Sequence, residues 1–259
     1  MKIQYASDLH LEFPANQLYL IEHPIRPIAD VLVLAGDTIL LGDSVNDYKV
    51  LDQLSSTFEK VYIVPGNHEF YGKHFPISKI LPSFHEEVRS NVHYLNNQTL
   101  KFGDTRVLFT TLFSHIPASK STKIKNYIQD FHRTRFHEDS MLSLTINEFN
   151  HCHKVCLGYL LLELEEPFQG KTVVVSHFPP FNKKWIKDYP EFPVDLSSFF
   201  HADLAWICKQ HNIDHWISGH THVNFKSFQI GNTWMHGNML GYVEHDNPNH
   251  FNGEAIIEI

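Results

Sequence analysis

The chain reads as an α/β protein, a layered α/β/β/α sandwich whose reactive side chains gather at the carboxyl ends of its strands. Three observations predict this. Short unbroken apolar runs such as Val31-Leu32-Val33-Leu34-Ala35 have the pattern of strands covered on both faces. Stretches of helical spacing alternate with them, and extra strand pairs follow near the end, the order expected of stacked helix and sheet layers.

Taken in order, Lys2 to Ser7 alternates as a strand does, and Val31 to Ala35 is the next. Between Asn46 and Phe58, the spacing of Val50, Leu51, Leu54 and Phe58 predicts an amphipathic helix, followed by a buried strand Val61-Tyr62-Ile63-Val64 closed by Pro65-Gly66. A helical stretch is expected from Ile80 to Val88. Strands are expected at Val92 to Tyr94, Leu100 to Phe102 and Arg106 to Thr110. Residues 114–139 are polar, aromatic and basic without a clear period, and read as an insertion into a single domain spanning 1–259. Met141 to Glu165 reads as a long helix, Thr172 to Ser176 as a strand, Asp203 to His211 as a helix and His215 to Ser218 as a strand. Phe225 to Ile230, Thr233 to His236 and Ala255 to Ile259 complete the strands, and Trp216 and Trp234 are assigned to the core.

With 42% hydrophobic and 19% charged residues, the 259-residue chain has the composition of an ordinary globular protein. A formal net charge of −8 disfavours binding to nucleic acid or an anionic lipid surface. Its most apolar long stretch, Val155 to Leu164, is interrupted by Gly158 and Glu163 and falls short of the roughly 20 apolar residues that cross a bilayer. No signal peptide is read at the amino terminus. Three cysteines, two of them (Cys152 and Cys156) one helical turn apart, fit a reducing cytoplasm better than a disulfide framework.

Function is signalled by what stands at the strand ends. Each apolar strand candidate runs into acidic, amide or imidazole residues: Asp8 and His10, Asp37, Asn67 and His68, His177, and His220 and His222. The carboxyl ends of strands in open α/β sheets gather around one crevice, so residues two hundred positions apart can meet there. Glycines in the Gly36-Asp37, Gly66-Asn67-His68 and Gly219-His220-Thr221-His222 turns let the backbone bend where a side chain must aim inward. Oxygen and nitrogen donors without thiolate suit Mn, Fe or Zn better than a Cys-based structural zinc.

Five ordered blocks, Asp8-Leu9-His10, Gly36-Asp37, Gly66-Asn67-His68-Glu69, Ser176-His177 and Gly219-His220-Thr221-His222, resemble the signature of the calcineurin-like metallophosphoesterases. The resemblance implies a two-metal hydrolase of phosphomonoesters or phosphodiesters. Asp8, His10 and His222 would hold the first metal and Asn67, His177 and His220 the second, with Asp37 bridging them. Such ions lie roughly 3.5–4 Å apart, with a bridging hydroxide as the expected nucleophile. His68 would face the substrate as the catalytic residue and assist the leaving group. Glu69 is read as a brace of the turn and is left out of the site. Asn238, Gly241 and Tyr242 resemble a closing segment of bacterial members and are read as structural support.

The phosphoprotein-phosphatase branch of that family carries Gly-Asp-x-Val-Asp-Arg-Gly, whereas this chain has Gly36-Asp37-Thr38-Ile39-Leu40-Leu41-Gly42. The missing arginine moves the expectation from phosphoproteins to small phosphodiesters, nucleotides or a lipid-linked pyrophosphate. A competing reading is a non-catalytic scaffold or binding module on the same fold, against which the complete donor set and His68 both count. His151-Cys152-His153 with Cys156 is read as a helix face rather than a metal site. Lys183, Lys184, Arg133 and Arg135 are read as solvated charge or as contacts to a substrate phosphate. Metal identity, monoester or diester preference and oligomeric state stay open.

Overall fold

The computed structural model describes every residue except 45–46, 73, 140–141, 187–194 and 247, together with the side chain of 249. The first sheet contains β1 (Lys2–Ala6), β2 (Val31–Leu34), β3 (Lys60–Ile63), β4 (Phe84–Arg89) and β5 (Val92–Asn96). The second contains β6 (Gln98–Phe102), β7 (Thr105–Thr110), β8 (Lys171–Ser176), β9 (His215–Ile217), β10 (Phe228–Ile230) and β11 (Thr233–His236). The last strand, β12 (Ile256–Glu258), returns to the first sheet, giving the orders β12-β1-β2-β3-β5-β4 and β10-β11-β9-β8-β7-β6. In the first, β1, β2, β3 and β5 are parallel neighbours; in the second, β7, β8, β9 and β11 are.

Period-two alternation assigns the two faces of each strand. Ile3, Tyr5, Val33 and Ala35 from one sheet meet Val107, Phe109, Val173, Val175 and Ile217 from the other in a core between the sheets. The intervening residues Leu32, Leu34, Leu108 and Val174 point outward and are packed against helices. Both faces are therefore apolar, which is why these strands read as unbroken runs. Helices α1 (Pro14–Glu22) and α2 (Lys49–Thr57) lie by the first sheet, with Val50, Leu51 and Leu54 of α2 buried. Two short helices follow, α3 (Ser121–Tyr127) and α4 (Asp130–Arg133). The long helix α5 (Ile146–Glu165) buries Phe149, Cys152, Cys156 and Leu160, and α6 (Ser197–Phe200) and α7 (Ile207–Gln210) complete the outer layers. The result is the α/β/β/α sandwich.

Several sequence expectations are corrected. Ile80 to Val88 is not helical: a 3-10 turn over Ile77–Ile80 gives way to β4. Pro82 has no N–H to continue a helix and favours an extended residue before it, as Leu81 is, with φ −112° and ψ 145°. The helix expected from Asp203 shortens to α7 because Asp203 itself takes φ 51°, outside the helical region. Helix α5 starts later than expected, at a capping box in which Thr145 Oγ1 accepts from Glu148 N and Glu148 Oε2 accepts from Thr145 N. Met141 and Asn46, the expected starts of two helices, lie outside the described residues. Trp216 is fully buried and donates from Nε1 to Ser176 Oγ at 2.8 Å, but Trp234 is 42% exposed on the outer side of β11.

Candidate metal centre

Strands β1, β2 and β3 of one sheet and β8 and β9 of the other all end on the same side, and their following turns are tied together. The turn after β1 is hydrogen-bonded to that after β2 by Asp8 N to Gly36 O, His10 N to Asp37 O and Leu11 N to Thr38 O, each at 2.9 Å. The β9 turn joins them through His220 N, which donates to Asp8 Oδ1 at 3.0 Å. Five candidate residues take left-handed backbone: Asp8, His10, Asp37, His220 and His222 have φ of 55°, 47°, 54°, 74° and 52°. Such conformations cost about 1–3 kcal/mol each for a residue with a Cβ and persist where surrounding structure holds them. Close packing also explains two of the glycines. A Cβ on Gly36 would strike the His177 ring, and one on Gly66 would strike the Asp37 carboxylate.

These turns bring together two sets of donor atoms. One comprises Asp8, His10, Asp37 and His222; the other comprises Asp37, His177 and His220, with the ligating atoms within 4.8 Å of one another in each. Asn67 joins the second set, its Oδ1 3.0 Å from His177 Nε2. Asp37 belongs to both: Oδ2 lies 3.7 Å from His10 Nε2 and Oδ1 lies 3.4 Å from His177 Nε2. Asp8, His10 and His177 are fully buried.

The hydrogen bonds on the far side of each ring decide which atoms face inward. His10 Nδ1 donates to Glu12 Oε1 at 3.0 Å, His222 Nδ1 donates to Asp246 Oδ2 at 2.8 Å and His177 Nδ1 donates to the Ala35 carbonyl at 2.8 Å. With Nδ1 committed in this way, Nε2 of each of these rings faces inward. His10 Nε2 and His222 Nε2 stand 3.0 Å apart, while His177 Nε2 stands 3.1 Å from His220 Nδ1. Ring nitrogens that converge beside buried carboxylates, each held from behind through its other nitrogen, are the donor arrangement a cation takes, so the chemistry of both sets fits one. The carboxylates around these rings favour positive charge there. Burial works to lower His222 and His177, yet Asp246 and Asp8 raise the first to about 10, and Asp37 raises the second to about 9. His220, buried beside His177 and without a carboxylate bonded to its ring, is driven down instead.

His68 is 8% exposed and flanks these sets without joining either. Its Nδ1 donates to Glu12 Oε1 at 2.8 Å, its Nε2 is 3.0 Å from the Tyr242 hydroxyl, and its ring lies 4.1 Å from that of Tyr71. The Tyr71 hydroxyl in turn donates to the buried Asp130 carboxylate at 2.7 Å. Beside the donor sets opens a cleft of about 300 Å³, lined by Tyr71, Tyr127, Asp130, Phe199, Phe200 and Tyr242 among others. Glu69 binds turns rather than ligands: its carboxylate accepts from Asp37 N, Thr38 N, Gly66 N and the Tyr94 hydroxyl.

The other sequence candidates fall elsewhere. Lys183 and Lys184 line a separate hollow of about 550 Å³ beside Lys120 and His201, and Arg133 sits 5.2 Å over the Tyr71 ring. Cys152 and Cys156 are buried on α5, and His153 Nδ1 lies 3.1 Å from the Phe113 carbonyl, as a helix face requires. Asn238 braces backbone, donating to the Tyr5 and Asn252 carbonyls, but Tyr242 reaches the site. The sequence reading takes Tyr242 as structural support and does not single out Glu12, Asp246 or Asp130. Glu12 carries a faint signal in the alternation Asp8-x-His10-x-Glu12, while Asp246 and Asp130 carry none.

A two-sheet α/β sandwich whose strand ends meet in two oxygen-and-nitrogen donor sets sharing one aspartate defines a metal-dependent hydrolase. The chain belongs to the calcineurin-like phosphoesterase family, whose sequence model matches residues 1–224. It is 30% identical to an uncharacterized protein, L509, of Acanthamoeba polyphaga mimivirus, over 99% of this chain and 96% of that one. In fold it is similar to the phosphopantetheinyl hydrolase of Mycobacterium tuberculosis, with a TM-score of 0.64, 17% identity, and coverage of 96% of this chain and 90% of that one.

Proposed function

We propose that the chain is a two-metal phosphoesterase that hydrolyses a small phosphomonoester or phosphodiester. In this reading Asp8, His10 and His222 hold one cation, Asn67, His177 and His220 hold the other, and Asp37 serves both. The observation that carries it is the convergence of two donor sets, with ring nitrogens 3.0 Å apart at His10–His222 and 3.1 Å apart at His177–His220 and the two Asp37 oxygens facing one set each. Cations held there would supply Lewis acidity toward phosphoryl oxygens and lower the pKa of water. Mn, Fe and Zn all accept such donors.

The chain's own groups do the rest. His68, beside the cleft and raised by Asp37 and Glu12 against the effect of its burial, is the residue placed to protonate the departing oxygen. No lysine or arginine lines the cleft among the described residues, which supports a compact ester with an apolar or aromatic leaving group over a polyphosphate. Residues 1–259 act as one domain in this reading, and the 114–139 segment contributes Tyr127 and Asp130 to the cleft wall. Among the described residues no helix is long and apolar enough to cross a membrane. Three buried free cysteines support a reducing cytoplasm as the compartment.

The test is release of nitrophenol from a nitrophenyl monoester and a nitrophenyl diester by metal-stripped protein refilled with Mn²⁺, with Asp37→Ala as control. Turnover that disappears in Asp37→Ala is expected, and the preferred ester decides between phosphatase and diesterase. Two bound metals with no turnover of either ester would favour the scaffold reading.

A further inference from the structure

The cleft beside the donor sets is walled mainly by aromatic rings. Tyr127 closes α3, Phe200 closes α6, and Tyr71 and Tyr242 both touch His68. Tyr127 is 62% exposed, so its ring surface is open to a ligand. Three residues on, Asp130 adds to the lining a carboxylate that belongs to neither donor set and is only 4% exposed. No lysine or arginine lines the cleft among the described residues.

Asp130 has a neutral partner. Its Oδ2 accepts from the Tyr71 hydroxyl at 2.7 Å. The ion pairs of lysine and arginine among the described residues all go to other carboxylates, and Arg133 is placed instead over the Tyr71 ring, 5.2 Å from its centre. Burial raises the Asp130 carboxyl, and the Tyr71 hydroxyl and His68 oppose that rise only in part. A positive group in the cleft would supply the charge this carboxylate lacks. The faces of aromatic rings are negative and attract a cation within about 6 Å, and rings of this kind are what recognise quaternary ammonium groups. A neutral alcohol would use the rings but leave Asp130 buried without a counter-charge, and a polyphosphate would meet like charge there.

We propose that the cleft selects a phosphate ester of an alkylammonium alcohol, with its phosphate at the donor sets and its ammonium among Tyr127, Phe200 and Asp130. The inference rests on the reading of the chain as a phosphoesterase and names the substrate class of that site. Tyr127 and Asp130 are its specificity-determining residues. Hydrolysis breaks the P–O bond, adds water across it and releases the ammonium alcohol with its charge unchanged.

The experiment uses choline and its neutral isostere 3,3-dimethylbutanol, which differ in charge at nearly constant shape. Binding of each alcohol to Mn²⁺-saturated wild type, Asp130→Asn and Tyr127→Ala is measured by calorimetry. Wild type should bind choline about tenfold more tightly. Asp130→Asn, whose amide oxygen still accepts from Tyr71, should lose about tenfold on choline and less than about twofold on the isostere. Tyr127→Ala should lose about threefold or more on choline. Hydrolysis of choline phosphate and of its methyl diester, each against the dimethylbutyl counterpart, is followed by ³¹P NMR, and kcat/KM should favour the choline ester of the preferred type by about tenfold. Turnover of soluble esters alone would place the source in a free ester, and turnover of phosphatidylcholine vesicles would place it in a lipid headgroup; both support the ammonium site. Equal affinity for the two alcohols, a preference that survives Asp130→Asn, or tighter binding of adenosine than of choline would overturn it. If nitrophenyl esters are hydrolysed but choline esters gain nothing over their isosteres, only this inference falls. If no ester of any kind is hydrolysed, the phosphoesterase reading falls, and the calorimetry alone decides whether the cleft holds an ammonium group.

Discussion

Glu69 sits under the turns of the candidate centre as a fully buried side chain, and replacing it by glutamine should be disproportionately costly. Oε1 accepts from Thr38 N at 2.7 Å and the Tyr94 hydroxyl at 3.1 Å, while Oε2 accepts from Asp37 N at 3.0 Å and Gly66 N at 2.6 Å. Burial and the neighbouring Asp37 push Glu69 up to about 7, so at pH 8 and above, where it is ionised, glutamine keeps one oxygen and turns an NH₂ toward the other pair, and two bonds to a charged acceptor become donor–donor contacts. At about 1.5–3 kcal/mol each, the loss is about 3–6 kcal/mol. That is a large fraction of the roughly 5–15 kcal/mol that holds a domain together. Expressed as a midpoint, it corresponds to a fall of about 6–12 °C or more. Urea unfolding of metal-free wild type and Glu69→Gln is the appropriate assay, because bound metal adds its own stabilisation. Tyr94→Phe, which removes one donor, should cost about 1 kcal/mol. A loss below about 1 kcal/mol in Glu69→Gln would refute the brace, since it would mean the turns hold their shape without the carboxylate.

Three further outcomes are expected. Trp216→Ala should cost about 3–5 kcal/mol in chemical denaturation, whereas Trp234→Ala, on the surface, should stay within about 0.5 kcal/mol. His236, pulled down from 6.5 to about 4 by burial and then by the neighbouring His215, must be deprotonated in the fold. The unfolded chain therefore binds the extra proton first as pH falls. Stability from this site is complete above pH 6.5 and declines toward pH 4 by about 3 kcal/mol, and His236→Phe should flatten that slope between pH 7 and 5. Removing metal with EDTA should lower the melting temperature and Mn²⁺ should restore it. Asp37→Asn should bind less metal than wild type at equal free Mn²⁺ by elemental analysis, because its two oxygens serve both donor sets.

Strands buried on two faces, such as β2 and β8, are legible because that burial leaves an unbroken apolar run, a local property of the chain, whereas the partly exposed β4 is not. Helix α1 was not legible: its Pro14 start carries no side-chain cap, and its apolar face leaves Leu18 and Ile21 exposed at 57% and 48%. Between Ile80 and Val88 the helical spacing is overridden by Pro82, whose missing N–H cannot continue a helix. Trp234 failed for another reason. On β11 it alternates outward from Thr233 and Met235, both fully buried, and a large aromatic residue by itself does not say which side it takes.

At the candidate centre, the chain alone determined which chemical groups occur and that they follow strands, because Asp8, Asp37, Asn67, His177 and His220 each sit a few residues beyond an apolar run. What only the tertiary structure decided is how those groups are held and oriented. Glu12 is two residues from His10 but 56 from His68, and Asp246 is 24 from His222, so neither pairing has a local signature. The physical reason is that strand order, turn conformation and ring tautomer depend on contacts closed across the sandwich. A ligand's identity is written in one residue, but the direction of its lone pair is set by whatever the fold brings to its other nitrogen.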